Sequence, residues 1–275
     1  MNQQTLGYHP GETVIHNVNA TAKLVFLLVT TIACMTTYDT RFLFVISLFS
    51  LGLFKFSSIK WQQVSFVVKF IAFFSVLNLV AVYVFQPMYG VQLYGSEHIL
   101  LNGFGRFNLT QEEVFYLFNL LLKYFCTIPL TLIFLLTTNP SSFAASLNQI
   151  GISYKVSYAV SLALRYIPDI QEDFMNISQA QQARGYEMSR KGRLSQRIKG
   201  TARIVLPLIF SSLERIEVIS TAMELRRFGQ KKKRTWYVSQ PFKAIDYIVI
   251  LVALMILASS IGLFMVNHGR FYNPF

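Results

Sequence analysis

Charge is what this 275-residue sequence has least of: only 14% of its residues are Asp, Glu, Lys or Arg, while 53% are hydrophobic. A soluble domain carries about 25% charged residues, so the balance excludes an ordinary cytosolic enzyme and a disordered chain. Cysteine is scarce too. Cys34 and Cys126 both sit inside apolar runs, where a thiol packs as a small hydrophobe, and this excludes a secreted disulfide scaffold or a cysteine metal framework. The first 22 residues are polar, with no basic start leading into an apolar core. A cleaved signal peptide is therefore not expected, and the first apolar segment should stay in the membrane.

Catalytic motifs are missing as well. No Gly-x-x-x-x-Gly-Lys-Ser/Thr phosphate loop occurs, since the run from Gly229 through Lys231, Lys232, Lys233 and Arg234 to Thr235 has the wrong spacing. ATP, if it drives this protein, must be hydrolysed by another chain. His9, His16, His98 and His268 are scattered without the i, i+4 pairing or nearby cysteines of a metal site, and read as ordinary loop residues. Gly103-Phe104-Gly105 is followed by no helix start suited to a dinucleotide. The expectation is a non-catalytic protein with no cofactor and no metal.

What is there points to the bilayer. Residues 62–85, 114–137 and 245–266 approach the roughly 20 apolar residues needed to cross it. Residues 24–38 and 42–56 are shorter, separated by the turn-like Asp39-Thr40-Arg41, and read as a helical hairpin that needs flanking polar residues to reach across. Between Ser141 and Ala244 no clean span occurs, and 17 Lys and Arg face 7 Asp and Glu, so +10 of the chain's +12 lies there. Lys231, Lys232, Lys233, Arg234 and Lys243 stand close to the last span, which places this segment in the cytoplasm by the positive-inside rule. The loop 86–113 holds Glu97, Arg106, Glu112 and Glu113, net −2, and suits the outer face. The fold class is thus an all-α membrane protein of about five transmembrane helices. Its N-terminus lies inside, with transmembrane helices over 1–138, a cytoplasmic segment over 139–240 and a last span with an external C-terminus over 241–275.

The run Lys231 to Arg234 reads as a solvated tether touching anionic lipid headgroups. Trp236 and Tyr237 beside it look like an interfacial belt, and no nucleic-acid motif accompanies them.

Two long amphipathic helices account for the cytoplasmic segment. Val160, Ala163, Ile167, Ile170, Phe174 and Ile177 follow a seven-residue pattern, and Leu206, Ile209, Leu213, Ile216, Ser220 and Met223 follow it again; such a period means one narrow packing seam per helix. Pro168 and Pro207 each remove a backbone donor and should bend their helix rather than end it. Gly192 and Gly200 act as breakers in the basic stretch between. The first helix closes with Ala183-Arg184-Gly185-Tyr186 and the second with Leu225-Arg226-Arg227-Phe228-Gly229. Arginine in a last turn and glycine just beyond are ordinary helix-ending chemistry, enough to explain either end alone. Two such ends in one basic segment point to a docking surface, because arginine's rigid fork suits carboxylates and carbonyls on a partner. Lys123, mid-span, is costly and by default functional; the alternative is an inward lysine paired with a carbonyl or with Asn78 or Asn119.

Taken in order, these motifs resemble the transmembrane T component (EcfT/CbiQ-like) of energy-coupling factor (ECF) transporters, the bacterial vitamin and trace-nutrient importers of the ABC class. The resemblance rests on Thr138-Asn139-Pro140, Leu147 with Gly151, Ala163-Leu164-Arg165-Tyr166-Ile167-Pro168, Gln179 through Tyr186, and Ala222 through Phe228. It covers the whole chain in architecture and 137–229 in motif. It implies two crossing coupling helices, each with an Ala-Arg-Gly signature that docks into a groove on one of two cytosolic ABC ATPase subunits or domains. It also implies a substrate-binding S component held in the bacterial cell membrane. By position the first signature is Ala183, Arg184 and Gly185; the second reads Leu225, Arg226 and Arg227 and keeps only the central arginine. Asn19-Ala20-Thr21-Ala22-Lys23 keeps only the lysine of the family's Asp-Pro-Arg-Thr-Lys. The rival readings are a stand-alone secondary transporter, for which paired broken helices are missing, and a membrane scaffold that binds cytosolic proteins without transport.

Overall fold

The structure is a computed structural model that describes residues 11, 13–101, 107–185, 194–230, 235–238 and 240–275, with the helical backbone alone over 194–199. His9, Gly103 to Arg106, Tyr186, Gly192 and the run Lys231 to Arg234 lie outside the described residues. The fold is all-α apart from one small hairpin, and it divides into two compact units.

One unit joins Gly7–Asn139 to Gln240–Phe275. It contains α1 (Val14–Asn17), α2 (Ala20–Thr36), α3 (Thr40–Phe56), α4 (Trp61–Phe85), α5 (Tyr89–Tyr94), the hairpin β1 (Ile99–Leu101) and β2 (Leu109–Thr110), α6 (Gln111–Thr137) and α10 (Ala244–Val266). Among the described residues, α4, α6 and α10 are the helices long and apolar enough to cross a membrane. At 17 residues each, α2 and α3 rise about 25 Å, short of the roughly 30 Å hydrocarbon core. The hairpin between them turns earlier than expected: Thr37 to Asp39 leave the helix, and the Asp39 carboxylate caps α3 by accepting from the N–H groups of Arg41 and Phe42.

Of the three long apolar helices, α6 is the hub. Half of its apolar window is buried, against 6% for α4 and 17% for α10, because α2, α3, α4 and α5 all pack on it. Its inner face meets Ala33 and Cys34 of α2, Phe42, Leu43 and Ile46 of α3 and Ile256 of α10 through Leu122 and Cys126. Both cysteines are free and buried, as apolar runs predict. By contrast α4 leaves Phe66, Phe70 and Phe73 exposed, a surface that lipid would cover.

Polar ties close this bundle at each end. At one end the buried Asp246 carboxylate accepts from the backbone N–H of Lys243 (2.7 Å), capping α10, and from the N–H of Asn19 (2.7 Å), the N-cap of α2. Lys23 reaches across to the last carbonyl of α6, donating to the Thr137 oxygen at 3.0 Å, where a cation completes orphaned helix acceptors. At the other end Asp39 accepts from Arg41 (2.9 Å) and from the Asn267 amide (2.7 Å) beyond α10. Glu112 and Glu113 are fully buried at the start of α6. Glu112 binds His98 at 2.7 Å and Glu113 accepts from the Gly90 N–H at 2.7 Å. A Cβ on Gly90 would stand 2.6 Å from the Glu112–Glu113 backbone, so only glycine permits that approach.

The second described unit lies within Pro140–Ser239: α7 (Pro140–Gln149), α8 (Tyr154–Ala183) and α9 (Leu194–Leu225). Helices α8 and α9 run through Pro168 and Pro207 instead of ending there. Gly200, expected as a breaker, is helical inside α9: one interior glycine costs only about 1 kcal/mol, too little to end a 32-residue helix. The expected seam on α9 is also corrected. Of its six positions only Met223 is shielded; Leu206, Ile209, Leu213, Ile216 and Ser220 are exposed, whereas Ile204, Leu208, Ser212, Arg215 and Ile219 are shielded, on the side where Arg215 bonds Asp173 of α8 at 2.6 Å. On α8 the expected seam is half met: Val160, Ile167 and Ile177 are half-buried, and Ala163, Ile170 and Phe174 are exposed.

Two predictions follow from the ties. Asp246→Ala strands two buried N–H donors and should cost about 2–4 kcal/mol, read as a lowered thermal midpoint in detergent; Asp246→Asn should cost less. For Asp39, burial acts to raise the carboxyl's pKa, but the hydrogen bonds of Arg41 and Asn267 outweigh it and hold it below its ordinary value of 3.8. Its stabilisation is therefore complete above that ordinary value and is lost as pH falls through the lowered folded-state value. Asp39→Asn should flatten that acid limb of an unfolding curve, and an unchanged limb would contradict this assignment.

Candidate functional site

The two arginine-bearing helix ends share one geometry. At the end of α8 the Arg184 N–H reaches the Ala180 and Gln181 carbonyls (3.3 and 3.1 Å), and the Gly185 N–H reaches Gln182 (2.9 Å). At the end of α9 the Arg226 N–H reaches Ala222 (3.2 Å), the Arg227 N–H reaches Glu224 (2.8 Å) and the Phe228 N–H reaches Met223 (2.9 Å). The second set is a complete Schellman closure, and the first repeats its inner bond. Ala183 and Leu225 are the final helical residues, and Arg184 and Arg226 occupy the same cap position. Gly185 and Arg227 then hold the same left-handed position, with φ +83° and +53°. The missing glycine of the second signature is thus replaced by an arginine forced into the glycine conformation. All four residues from Arg184 to Gly185 and from Arg226 to Arg227 are exposed.

The ends are not brought together. Phe228, just past α9, lies 4.6 Å ring to ring from Tyr158 in the first turns of α8, and farther along Arg215 bonds Asp173, so the helices lie antiparallel. The 26-residue advance from Tyr158 to Arg184, at 1.5 Å per residue, sets the two arginines roughly 40 Å apart along the pair. A single groove cannot take both.

Sequence reasoning overlooked what surrounds the second end. Tyr154 and Tyr158 pack on Phe228, at 5.7 and 4.6 Å between ring centroids, and Trp236 packs on Tyr154 at 5.6 Å. The Trp236 indole N–H donates to Asn148 at the end of α7 (3.1 Å). Trp236 is therefore half-buried in a cluster, not an open interfacial residue, although Tyr237 is fully exposed. Their legible signal was aromatic spacing, Tyr154 and Tyr158 one helical turn apart.

Lys123 is buried in α6. Its ammonium donates to the Met35 carbonyl at 2.9 Å and lies 3.3 Å from the centre of the Tyr38 ring, a desolvated cation–π contact. Asn119 and Asn78 are engaged elsewhere, by the hydroxyls of Thr40 and Tyr124. A cavity of about 170 Å³ inside the bundle is lined by Phe26, Phe49, Leu130, Ile133 and Val252. Lys23 also borders it, with its donors already directed at the His16 and Thr137 carbonyls. Such a lining suits apolar groups and offers little to a polar nutrient.

The family model CbiQ, described as a cobalt transport protein, matches residues 11–237. The chain belongs to the CbiQ family. It is an EcfT/CbiQ-like membrane transport component, as the ordered motifs from Thr138 to Phe228 suggested. Among its relatives is the energy-coupling factor transporter transmembrane protein EcfT of Streptococcus equi, 24% identical over 265 residues, covering 93% of this chain and 95% of that one. The EcfT of Bacillus selenitireducens is 28% identical over 260 residues, covering 92% and 93%. A putative ABC transporter ATP-binding protein of Bifidobacterium longum is 30% identical over 139 residues, which are 48% of this chain and 18% of that protein.

The shared cap geometry yields a direct test on this CbiQ-family chain. Arg227→Gly relieves a left-handed arginine and should tighten the end of α9 by about 1 kcal/mol, read as slower hydrogen exchange over 223–228. Gly185→Ala should loosen α8 by a similar amount. Equal exchange in all three proteins would contradict the assignment of these left-handed positions.

Proposed function

We propose that this chain is the non-catalytic transmembrane coupling subunit of an energy-coupling factor importer in a bacterial cell membrane. Two ABC ATPase subunits or domains dock on its two long helices, and a small substrate-capturing S component is held against its membrane helices. Together they import a vitamin or trace nutrient, a class that includes the cobalt of the family description. The observation that carries this reading is the pair of exposed arginines in one cap geometry at opposite ends of an antiparallel helix pair. Roughly 40 Å of separation suits two partners better than one. The relative named as an ATP-binding protein, which carries a stretch like this chain in less than a fifth of its length, supports ATPases as those partners.

The +10 segment between Ser141 and Ala244 faces the cytoplasm in this account, where ATP is found. Chain connectivity agrees: Thr137, where the chain leaves the bundle, and Gln240, where it returns, both bond the N-terminal region of α2 through Lys23 and Asn19. The segment therefore leaves and re-enters at one end of the bundle, the end where α2 starts.

In the mechanism, ATP closes the ATPase pair and displaces the grooves that hold Arg184 and Arg226. Charge-assisted, forked hydrogen bonds transmit a pull without slipping. The helices convert it into a change of their mutual packing, for which the donor-free Pro168 and Pro207 provide bending points. Discrete repackings of this kind carry small shifts over long distances. The S component then tilts or is released.

Replacing an arginine that is docked in a buried groove costs about 2–5 kcal/mol, and a solvated one far less. Arg184→Glu and Arg226→Glu should each weaken co-purification of the ATPases and together abolish it, while Arg190→Glu, the same change of charge between the helices in sequence, should leave it intact. Equal, mild effects of all three would sink the docking assignment.

A further inference from the structure

The end of α9 closes with the same pair of backbone bonds as the ends of α7 and α10, but here the contacts reach well beyond the helix itself. Phe228 is the residue whose N–H completes the 2.9 Å bond to Met223, and its ring is the plug of the aromatic cluster. Tyr158 lies at 4.6 Å and Tyr154 at 5.7 Å from it; these two stack one turn apart at 5.9 Å. Trp236 packs on both, at 5.6 and 6.4 Å. Through the Trp236 indole N–H the cluster is tied to Asn148, whose amide in turn donates to the Ile152 carbonyl in the α7–α8 turn at 2.9 Å. One residue past Phe228, Gly229 takes φ +86°, and a Cβ there would stand 3.4 Å from the Lys155 side chain. Five pieces of backbone are therefore joined through one cluster: the end of α7, the α7–α8 turn, the first turns of α8, the end of α9 and the stretch containing Trp236.

Helix ends fray because their last carbonyls lack intrahelical partners. A pull on Arg226 at an unsupported end would unwind the final turn and dissipate the displacement there. The cluster prevents that by making the last turn of α9 part of the same packed body as the start of α8. We propose that this aromatic clasp is the rigid joint through which displacement of the Arg226 end is delivered to α8, with Phe228, Tyr158 and Trp236 as positioning residues for coupling. Arginine in the left-handed Arg227 position is tolerated because the clasp holds the residue after it. The inference rests on the docking role proposed above and adds the route by which that end acts on its neighbour helix.

The test uses the complex purified with its ATPases, with and without ATP and vanadate, and reads hydrogen exchange over 154–170 and over 220–228. In the unchanged protein nucleotide should alter exchange in both stretches. Phe228→Ala should still co-purify with the ATPases and still respond over 220–226, yet lose the nucleotide response over 154–170; Phe228→Tyr, which keeps a ring, should restore it. Trp236→Phe, which removes the indole donor but keeps an aromatic ring and so guards against misfolding of the alanine variant, should reduce the 154–170 response. A full response over 154–170 in both Phe228→Ala and Trp236→Phe would overturn the clasp while leaving docking intact. Failure of the unchanged chain to retain any ATPase would overturn the docking role, and the clasp with it.

Discussion

The buried Asp246 carboxylate is the constraint on which the arrangement depends. It accepts from Lys243 and from Asn19, so one side chain caps α10 and fixes the start of α2, and Lys23, one turn further on, reaches the end of α6. The chain leaves the bundle at that point and returns to it at Gln240, which is itself held by the Asn19 amide. A long basic segment is thus anchored at both of its ends to one polar knot. Charges so deeply buried hold only while every partner is in place.

In the coupling role proposed for this segment, helix-ending chemistry and partner recognition share the same residues. An arginine at a helix C-terminus favours the helix dipole, and Arg184 and Arg226 are both exposed there. Repeating this at two ends of an antiparallel pair presents two guanidinium groups in equivalent local frames and far apart. The ends nevertheless differ. Gly185 leaves the first cap bare, whereas Arg227 adds a second cation beside Arg226, and the aromatic cluster stiffens the second end.

The long apolar helices were legible to within three residues, because runs such as 62–85 and 245–266 have no soluble alternative. The end of α8 at Ala183 was legible too, while only half of its expected seam is shielded. The seam of α9 was misplaced because that helix is apolar on two faces: periodicity reveals a stripe but does not say which stripe meets a neighbour, and the Arg215–Asp173 pair decided it. The burial of Glu112 and Glu113 ran against a charge count that read them as surface, although Thr110 followed three residues later by Glu113 is a helix-start signal, and Thr110 does cap α6. The positions of Arg184 and Arg226 could be named from their motifs. Their separation could not, because it depends on the Tyr158–Phe228 and Asp173–Arg215 contacts, which join residues more than 40 positions apart.

Coupling without catalysis is the central claim, and it is tested most directly by purifying the tagged chain from its native membrane in mild detergent and identifying every stoichiometric partner by mass spectrometry. The account predicts two ATPase domains and one small hydrophobic protein. Recovery of the chain alone, still active in uptake after reconstitution, would contradict it and identify a secondary transporter.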